Sequence, residues 1–382
     1  MTPTILPDLL ARAALVIHAS GRGRLVSSSL ARHRSIMAMR NQVITLSIAA
    51  VLGACRNVAA APTPFSTLLP ATPLPTIAST RSAPSLPSPT ATPDPYAGLT
   101  IEDLIGRSYG EGRIEFGPEQ RVSARFSRYS FHYPSDGLAI HGFMNIPNRE
   151  GPFPVVLVLH GYVDPDEYET LTYTTQYADA LAAQGLLVLH PNYRNYPPSD
   201  PGPNLFRVGY AVDVLNLIAL VQGQAGEPGP LEQADATDIG LFGHSMGGGI
   251  ALRVLTTSSP VEAAVLYGSM SADERLNFES IYEWSDGERG FEELNTPADD
   301  LVRISPIYYL DRIQAAVSIH HGAADELVPP EWSDDLCFRL TDLGKTVECF
   351  TYPSEPHTFI GFGGILLIDR AVAFFSQQFS DP

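Results

Sequence analysis

From Tyr96 onward, short apolar runs alternate with stretches of helical period. Arg121–Tyr133 and Leu138–Pro147 alternate apolar and polar residues about Pro134-Ser135-Asp136-Gly137, which predicts a hairpin. Val155–Leu159 is apolar without interruption, as a strand buried on both faces would be. Thr172–Gln184 has a helical period and stops at Gly185, a residue suited to a helix C-terminus. The rhythm continues through a strand at Leu186–Leu189, a helix at Phe206–Gln222, a strand at Asp238–Gly243, a helix at Gly247–Thr257 and a strand at Val261–Gly268. Ser269–Arg303 breaks it, with no long apolar strand, and reads as a cap-like insertion spanning about 269–304. Ser305-Pro306 then predicts a helix start, as N-cap and first helical residue. Ala316–His320, Glu331–Leu343, Val347–Tyr352 and Ile365–Phe379 close the series as strand, helix, strand and helix. Such alternation implies an α/β fold, a mostly parallel doubly wound sheet with an antiparallel hairpin at its start.

The front of the chain has a different pattern. Arg40 precedes an apolar run from Val43 to Ala54, too short for the roughly 20 residues a bilayer span needs. It suits the apolar core of a secretory signal, with Met37 or Met39 as the start. Leu52-Gly53-Ala54-Cys55 resembles the bacterial lipobox, which implies that Cys55 is lipidated and becomes the mature N-terminus. From Asn57 to Pro95, 29 of 39 residues are Pro, Ala, Ser or Thr, a composition unable to bury enough surface to fold. The expected organisation is an upstream extension and signal over 1–54, a tether over 55–98 and one catalytic domain over 99–382. The address it implies is the bacterial cell envelope, outside the cytoplasm, with the domain held to a membrane surface.

Charge and cysteine content narrow the function. The whole chain carries −18, but residues 96–382 hold 16 basic and 40 acidic residues, a net of −24. No basic face is available to attract phosphates, so nucleic acid is excluded as a partner. Ten acids fall between Asp273 and Asp300, a solvated cap surface or a screen against anionic substrates. Asp164, Asp166, Glu167 and Glu169 similarly read as a solvated loop or a cation contact. Three cysteines cannot form a disulfide scaffold. Cys337 in a helix and Cys349 in the next strand could pair at an extracytoplasmic address, or remain two thiols. No metal or cofactor is expected.

Gly243-His244-Ser245-Met246-Gly247 fits G-x-S-x-G between a predicted strand and a predicted helix, the setting in which a tight turn projects a nucleophilic serine. The alternative is a glycine-rich structural turn. Serine needs a base oriented by a third group. Asp325, in His321-Gly322-Ala323-Ala324-Asp325, and His357, in Pro356-His357-Thr358, each follow a predicted strand, where active-site loops gather. Asp273 is a competing acid. His160, His190, His320 and His321 lie in or beside strands and read as structural; His244 lines the turn. The Met246 backbone N–H and the Tyr162 N–H, after His160-Gly161, are the candidate oxyanion donors. The Tyr162 hydroxyl either reaches the site or packs at its rim.

Together, His160-Gly161, Gly243-His244-Ser245-Met246-Gly247-Gly248, His321-Gly322-Ala323-Ala324-Asp325-Glu326-Leu327-Val328-Pro329 and His357 resemble the α/β-hydrolase superfamily over roughly residues 120–380. They are most similar to the catalytic domain of prolyl oligopeptidase-type serine peptidases and to dienelactone-hydrolase-like esterases. The resemblance implies a triad of Ser245, Asp325 and His357 acting on a small ester or short peptide through an acyl-enzyme. Residues 96–150 are too short for the β-propeller of prolyl oligopeptidases proper. Acyl transfer on the same triad and a non-catalytic surface binding protein are the alternatives, and oligomeric state is not legible.

Overall fold

The computed structural model describes residues 93–257 and 260–379. The signal-like run, Cys55 and most of the proline-rich segment lie outside the described residues. The last of that segment already belongs to the domain, since Asp94 pairs with Arg303 at 2.6 Å.

α1 (Ile101–Gly106) opens on a capping box in which Thr100 and Asp103 satisfy each other's backbone N–H. Next come β1 (Glu115–Val122), β2 (Phe126–Ser135), β3 (Leu138–Pro147) and β4 (Phe153–Leu159). The hairpin between β2 and β3 turns on Asp136-Gly137, both at positive φ, and Gly137 does this without a steric penalty. The stretch expected as one strand over Arg121–Tyr133 is two. Ser123 Oγ accepts from the Phe126 N–H at 3.0 Å and breaks the chain there. β1 is exposed nearly throughout, so no apolar alternation marks it in the sequence.

α2 (Thr175–Ala183) ends through Gly185 at φ 99, with the Leu186 N–H returning to the Leu181 carbonyl. β5 (Leu187–Pro191) and a 3₁₀ turn, Leu205–Arg207, lead into α3 (Val208–Gln224). This stretch is long and apolar enough to cross a membrane, yet it lies buried, as a helix apolar on all sides does in a core. β6 (Ala234–His244), α4 (Met246–Leu255) and β7 (Ala263–Tyr267) follow.

Three helices fill the insertion: α5 (Glu274–Trp284), α6 (Phe291–Leu294) and α7 (Ala298–Ile304). The helix expected from Pro306 is present as a 3₁₀ helix, Pro306–Arg312, broken at Tyr309. Ser305 does not cap it; its Oγ accepts from the Glu274 N–H at the start of α5. β8 (Ala316–Gly322), α8 (Pro330–Asp342), β9 (Val347–Tyr352) and α9 (Phe362–Gln378) complete the chain. A disulfide joins Cys337 in α8 to Cys349 in β9.

The nine strands form one sheet in the order β1-β2-β3-β5-β4-β6-β7-β8-β9, antiparallel from β1 to β5 and parallel from β5 to β9. Val155, Leu157 and Leu159 of β4 pack with α3 and α4, while Val156 and Val158 pack with α2 and α9. Burial of each such side chain contributes about 1.5–3 kcal/mol. The chain runs from β4 outward to β5 and then crosses back to β6 on the other side of β4. That reversal falls between β4 and β6, and it is beyond the C-terminal ends of strands at such a point that α/β sheets bind ligands.

The insertion is rooted by charge. Arg253 of α4, fully buried, donates to Glu274 Oε1 at 2.5 Å and to the Ile304 carbonyl at 2.7 Å. Arg207 pairs with the other Glu274 oxygen, and Asn277 Nδ2 donates to it at 3.1 Å.

Candidate active site

Ser245 stands between the last residue of β6 and the first of α4, at φ 55 and ψ −118, a conformation few non-glycine residues adopt. Its neighbours must be small for that turn to close. A Cβ on Gly243 would meet the Gly247 carbonyl oxygen at 2.5 Å, and one on Gly247 would meet the Leu159 carbonyl oxygen at 2.1 Å. The Ser245 N–H donates to the Tyr267 carbonyl (2.9 Å), and its own carbonyl accepts from Gly248 (3.0 Å) and Met270 (3.1 Å). Its hydroxyl does not cap α4, and among the described residues it makes no hydrogen bond to His357. The Met246 N–H is the first of α4, a group that has no partner within its helix.

Asp325 and His357 are brought together. Asp325 lies on the loop between β8 and α8, with its side chain wholly buried, and His357 lies on the loop between β9 and α9. His357 Nδ1 donates to Asp325 Oδ2 at 2.7 Å, leaving Nε2 free to accept a proton. Asp325 Oδ1 accepts from the Leu327 and Val328 N–H groups, each at 2.9 Å. Oδ2 accepts a second bond from His321 Nε2 at 3.0 Å. Burial alone would raise this carboxyl, but the hydrogen bonds from His321, His357 and Val328 outweigh it and hold it well below the usual carboxylate range. His321 Nδ1 in turn lies 2.6 Å from Ser333 Oγ on α8, which therefore donates to it. Asp273, the competing acid, instead caps α5 by accepting from the Arg275 N–H at 2.9 Å.

Two further side chains, Tyr173 and His244, join these groups. Tyr173 hydroxyl accepts from the Gly161 N–H at 3.0 Å and reaches His244 Nδ1 at 2.5 Å. His244 Nε2 then donates to the His357 carbonyl at 3.1 Å, and the two imidazole rings lie 4.8 Å apart. Burial, together with the neighbouring His357, pushes His244 down to about 3, so it serves as a neutral spacer. The loop after β4 is thereby tied through Tyr173 and His244 to the loop of His357. Tyr173 carries no motif signal, whereas the four-residue spacing of His321 and Asp325 was a visible one.

Gly161 adjoins the serine closely: a Cβ there would lie 3.0 Å from Ser245 Cβ. Because Tyr173 takes the Gly161 N–H, the next donor on this loop is the Tyr162 N–H. His160, buried beneath the loop, contacts the Asn192 carbonyl at 3.0 Å and stacks on Tyr193. Burial pushes it down to about 4. Asp164 turns its own loop by accepting from the Asp166 N–H at 3.0 Å. Among the described residues, no cluster of three or more His, Cys, Asp or Glu side chains could hold a metal ion.

Residues 155–377 match the model of the alpha/beta hydrolase family. The chain is 25% identical over 232 residues to the uncharacterized peptidase YuxL of Bacillus subtilis, covering 58% of this chain and 34% of the peptidase. It is 21% identical over 239 residues to a putative carboxymethylenebutenolidase of Synechocystis, covering 59% of this chain and 83% of that protein. The fold is shared with acylaminoacyl peptidase of Pyrococcus horikoshii, at a TM-score of 0.54 and 22% identity over 68% of this chain and 43% of that one. It is shared equally with acetyl xylan esterase 1 of Thermoanaerobacterium, at 0.54 and 18% over 75% and 93%. The chain thus spans about a third of the Bacillus peptidase and under half of the Pyrococcus enzyme.

Proposed function

The chain belongs to the alpha/beta hydrolase family, and on that premise we propose that it is a serine hydrolase cleaving a small ester or a short peptide or amide through an acyl-enzyme. The observation that carries this reading is a serine held in a strained strand-to-helix turn with its hydroxyl uncommitted, next in sequence to His244, which packs on a histidine already oriented by a buried carboxylate. In this scheme His357 Nε2 takes the Ser245 proton as Oγ attacks the acyl carbon. Asp325 stabilises the imidazolium without taking its proton. The N–H groups of Met246 and Tyr162 receive the oxyanion, each worth on the order of 10²–10³ in turnover. His357 then protonates the leaving alcohol or amine. Water, activated by the same imidazole, releases the acid and restores Ser245. No metal or cofactor enters these steps.

A fluorophosphonate probe should label the full chain at Ser245 and leave Ser245→Ala unlabelled; a folded wild-type protein that resists the probe ends the reading. A side-by-side screen of short p-nitrophenyl esters and aminoacyl or prolyl amides then separates esterase from peptidase. The lipobox-like sequence supports placing this hydrolase at the cell envelope, anchored through Cys55. Fatty-acid incorporation should disappear in Cys55→Ser, and incorporation that persists removes the anchor.

A further inference from the structure

The insertion and the loop after β4 meet at the Tyr162 side chain. Arg289 Nη1 donates to the Tyr162 hydroxyl. Trp284 sets its ring against the Tyr162 ring, nearly perpendicular, with centroids 5.7 Å apart. The Arg289 guanidinium also lies 5.9 Å from the Trp284 ring and 3.9 Å from Asp164, two residues along the Tyr162 loop. Trp284 is the last residue of α5, and Arg289 follows on a turn built to present it. Asp286, Gly287 and Gly290 take positive φ there, and the Arg289 N–H donates to Ser285 Oγ at 3.0 Å.

The other side of the same loop is held one residue earlier, where Tyr173 fixes the Gly161 N–H. The donor N–H of Tyr162 lies between these two fastenings. Gly161 has no side chain of its own to fix the peptide that follows it. The direction of the Tyr162 N–H therefore depends on what grips the Tyr162 side chain. We infer that Arg289, backed by Trp284, is a positioning residue that sets the Tyr162 N–H on the oxyanion, so that seating of the insertion is coupled to the chemistry. This rests on the serine hydrolase reading above. Arg289 keeps its charge throughout and transfers no proton. Because the pair is exposed, with Arg289 and Tyr162 each more than a third open to solvent, it adds little to stability.

The test uses the full chain with p-nitrophenyl butyrate as substrate and four variants: Arg289→Ala, Tyr162→Phe, the pair combined, and Arg289→Lys. Arg289→Ala should lower kcat by about ten- to a hundred-fold, the scale of a misplaced reacting group. KM should stay within about two-fold, the mark of an interaction made in the transition state. Tyr162→Phe, which deletes only the gripped hydroxyl, should do the same, and the double variant should be no worse than the poorer single one. Arg289→Lys should recover most of the rate, since its ammonium can reach the same oxygen. The inference is overturned by an unchanged kcat in Arg289→Ala, by a raised KM at constant kcat, or by multiplying losses in the double variant. A wild-type chain that fluorophosphonate labels, alongside a kinetically silent Arg289→Ala, removes this inference alone; an unlabelled wild type removes the hydrolase reading first.

Discussion

Each oxygen of the Asp325 carboxylate receives two hydrogen bonds, so this one side chain orients His321 and His357 and shapes its own loop. Asp325→Asn retains the size but offers an NH₂ group where an acceptor is needed. His357 is then driven toward the tautomer with its proton on Nε2, which cannot take one from Ser245. Turnover of p-nitrophenyl butyrate should fall on the order of 10³–10⁴-fold with the fold intact by circular dichroism. A loss under ten-fold would show that Asp325 does not orient the base. At this scale the candidates at the ends of strands are readable in the sequence, because Ser245, Asp325 and His357 each lie just past a predicted strand within a local motif. Tyr173, Ser333 and Arg289 are not readable. Their partners lie 12, 12 and 127 residues away in Gly161, His321 and Tyr162, and only the fold makes them neighbours.

Among the elements, strands β4, β5 and β7 are legible because near-continuous burial makes them nearly continuous in apolar character. Strand β1 is hidden because it is exposed, and α9 begins three residues before its expected start, where Phe362-Gly363-Gly364 masks the helical period. The insertion is legible as an interruption, but its attachment is not, since acids at its surface and the acid at its root look alike in sequence. Glu274 is that root, a buried carboxylate shared between Arg253 and Arg207. Glu274→Gln leaves two guanidinium groups without their counter-charge and should cost about 3–5 kcal/mol. The urea midpoint reads this directly. Replacing Arg207 and Arg253 by Met and Glu274 by Leu together should recover much of the loss, because apolar packing then takes the place of all three charges. A Glu274→Gln midpoint equal to wild type would mean the insertion is held by its apolar contacts alone.

For the whole molecule, the buried imidazoles set the response to acid. Burial lowers His160 to about 4, His244 and His320 to about 3, and His190 well below its ordinary value. Unfolded histidine takes up its proton near pH 6.5, so below that pH the unfolded chain binds protons that the fold refuses. Stability should therefore be flat above about pH 6.5 and fall as pH drops toward 4, by about 1.4 kcal/mol per pH unit for each such histidine. Asp325, held low, acts in a separate window: its contribution is present above about pH 4 and is lost only as pH falls through its folded value. Urea unfolding at pH 7, 6 and 5 checks the first window, and equal midpoints would refute it. The helix and strand fastened by the disulfide bear on the same question of durability. Helix α8 follows the loop of Asp325 and supports His321 through Ser333, while strand β9 precedes the loop of His357. Cys337–Cys349 is thus one covalent fastening between the carriers of acid and base, worth about 3 kcal/mol by loop closure. Protein made in a reducing cytosol would lack it and could look identical at room temperature, yet have a shorter working life on warming, so shelf life becomes a record of where the chain was folded.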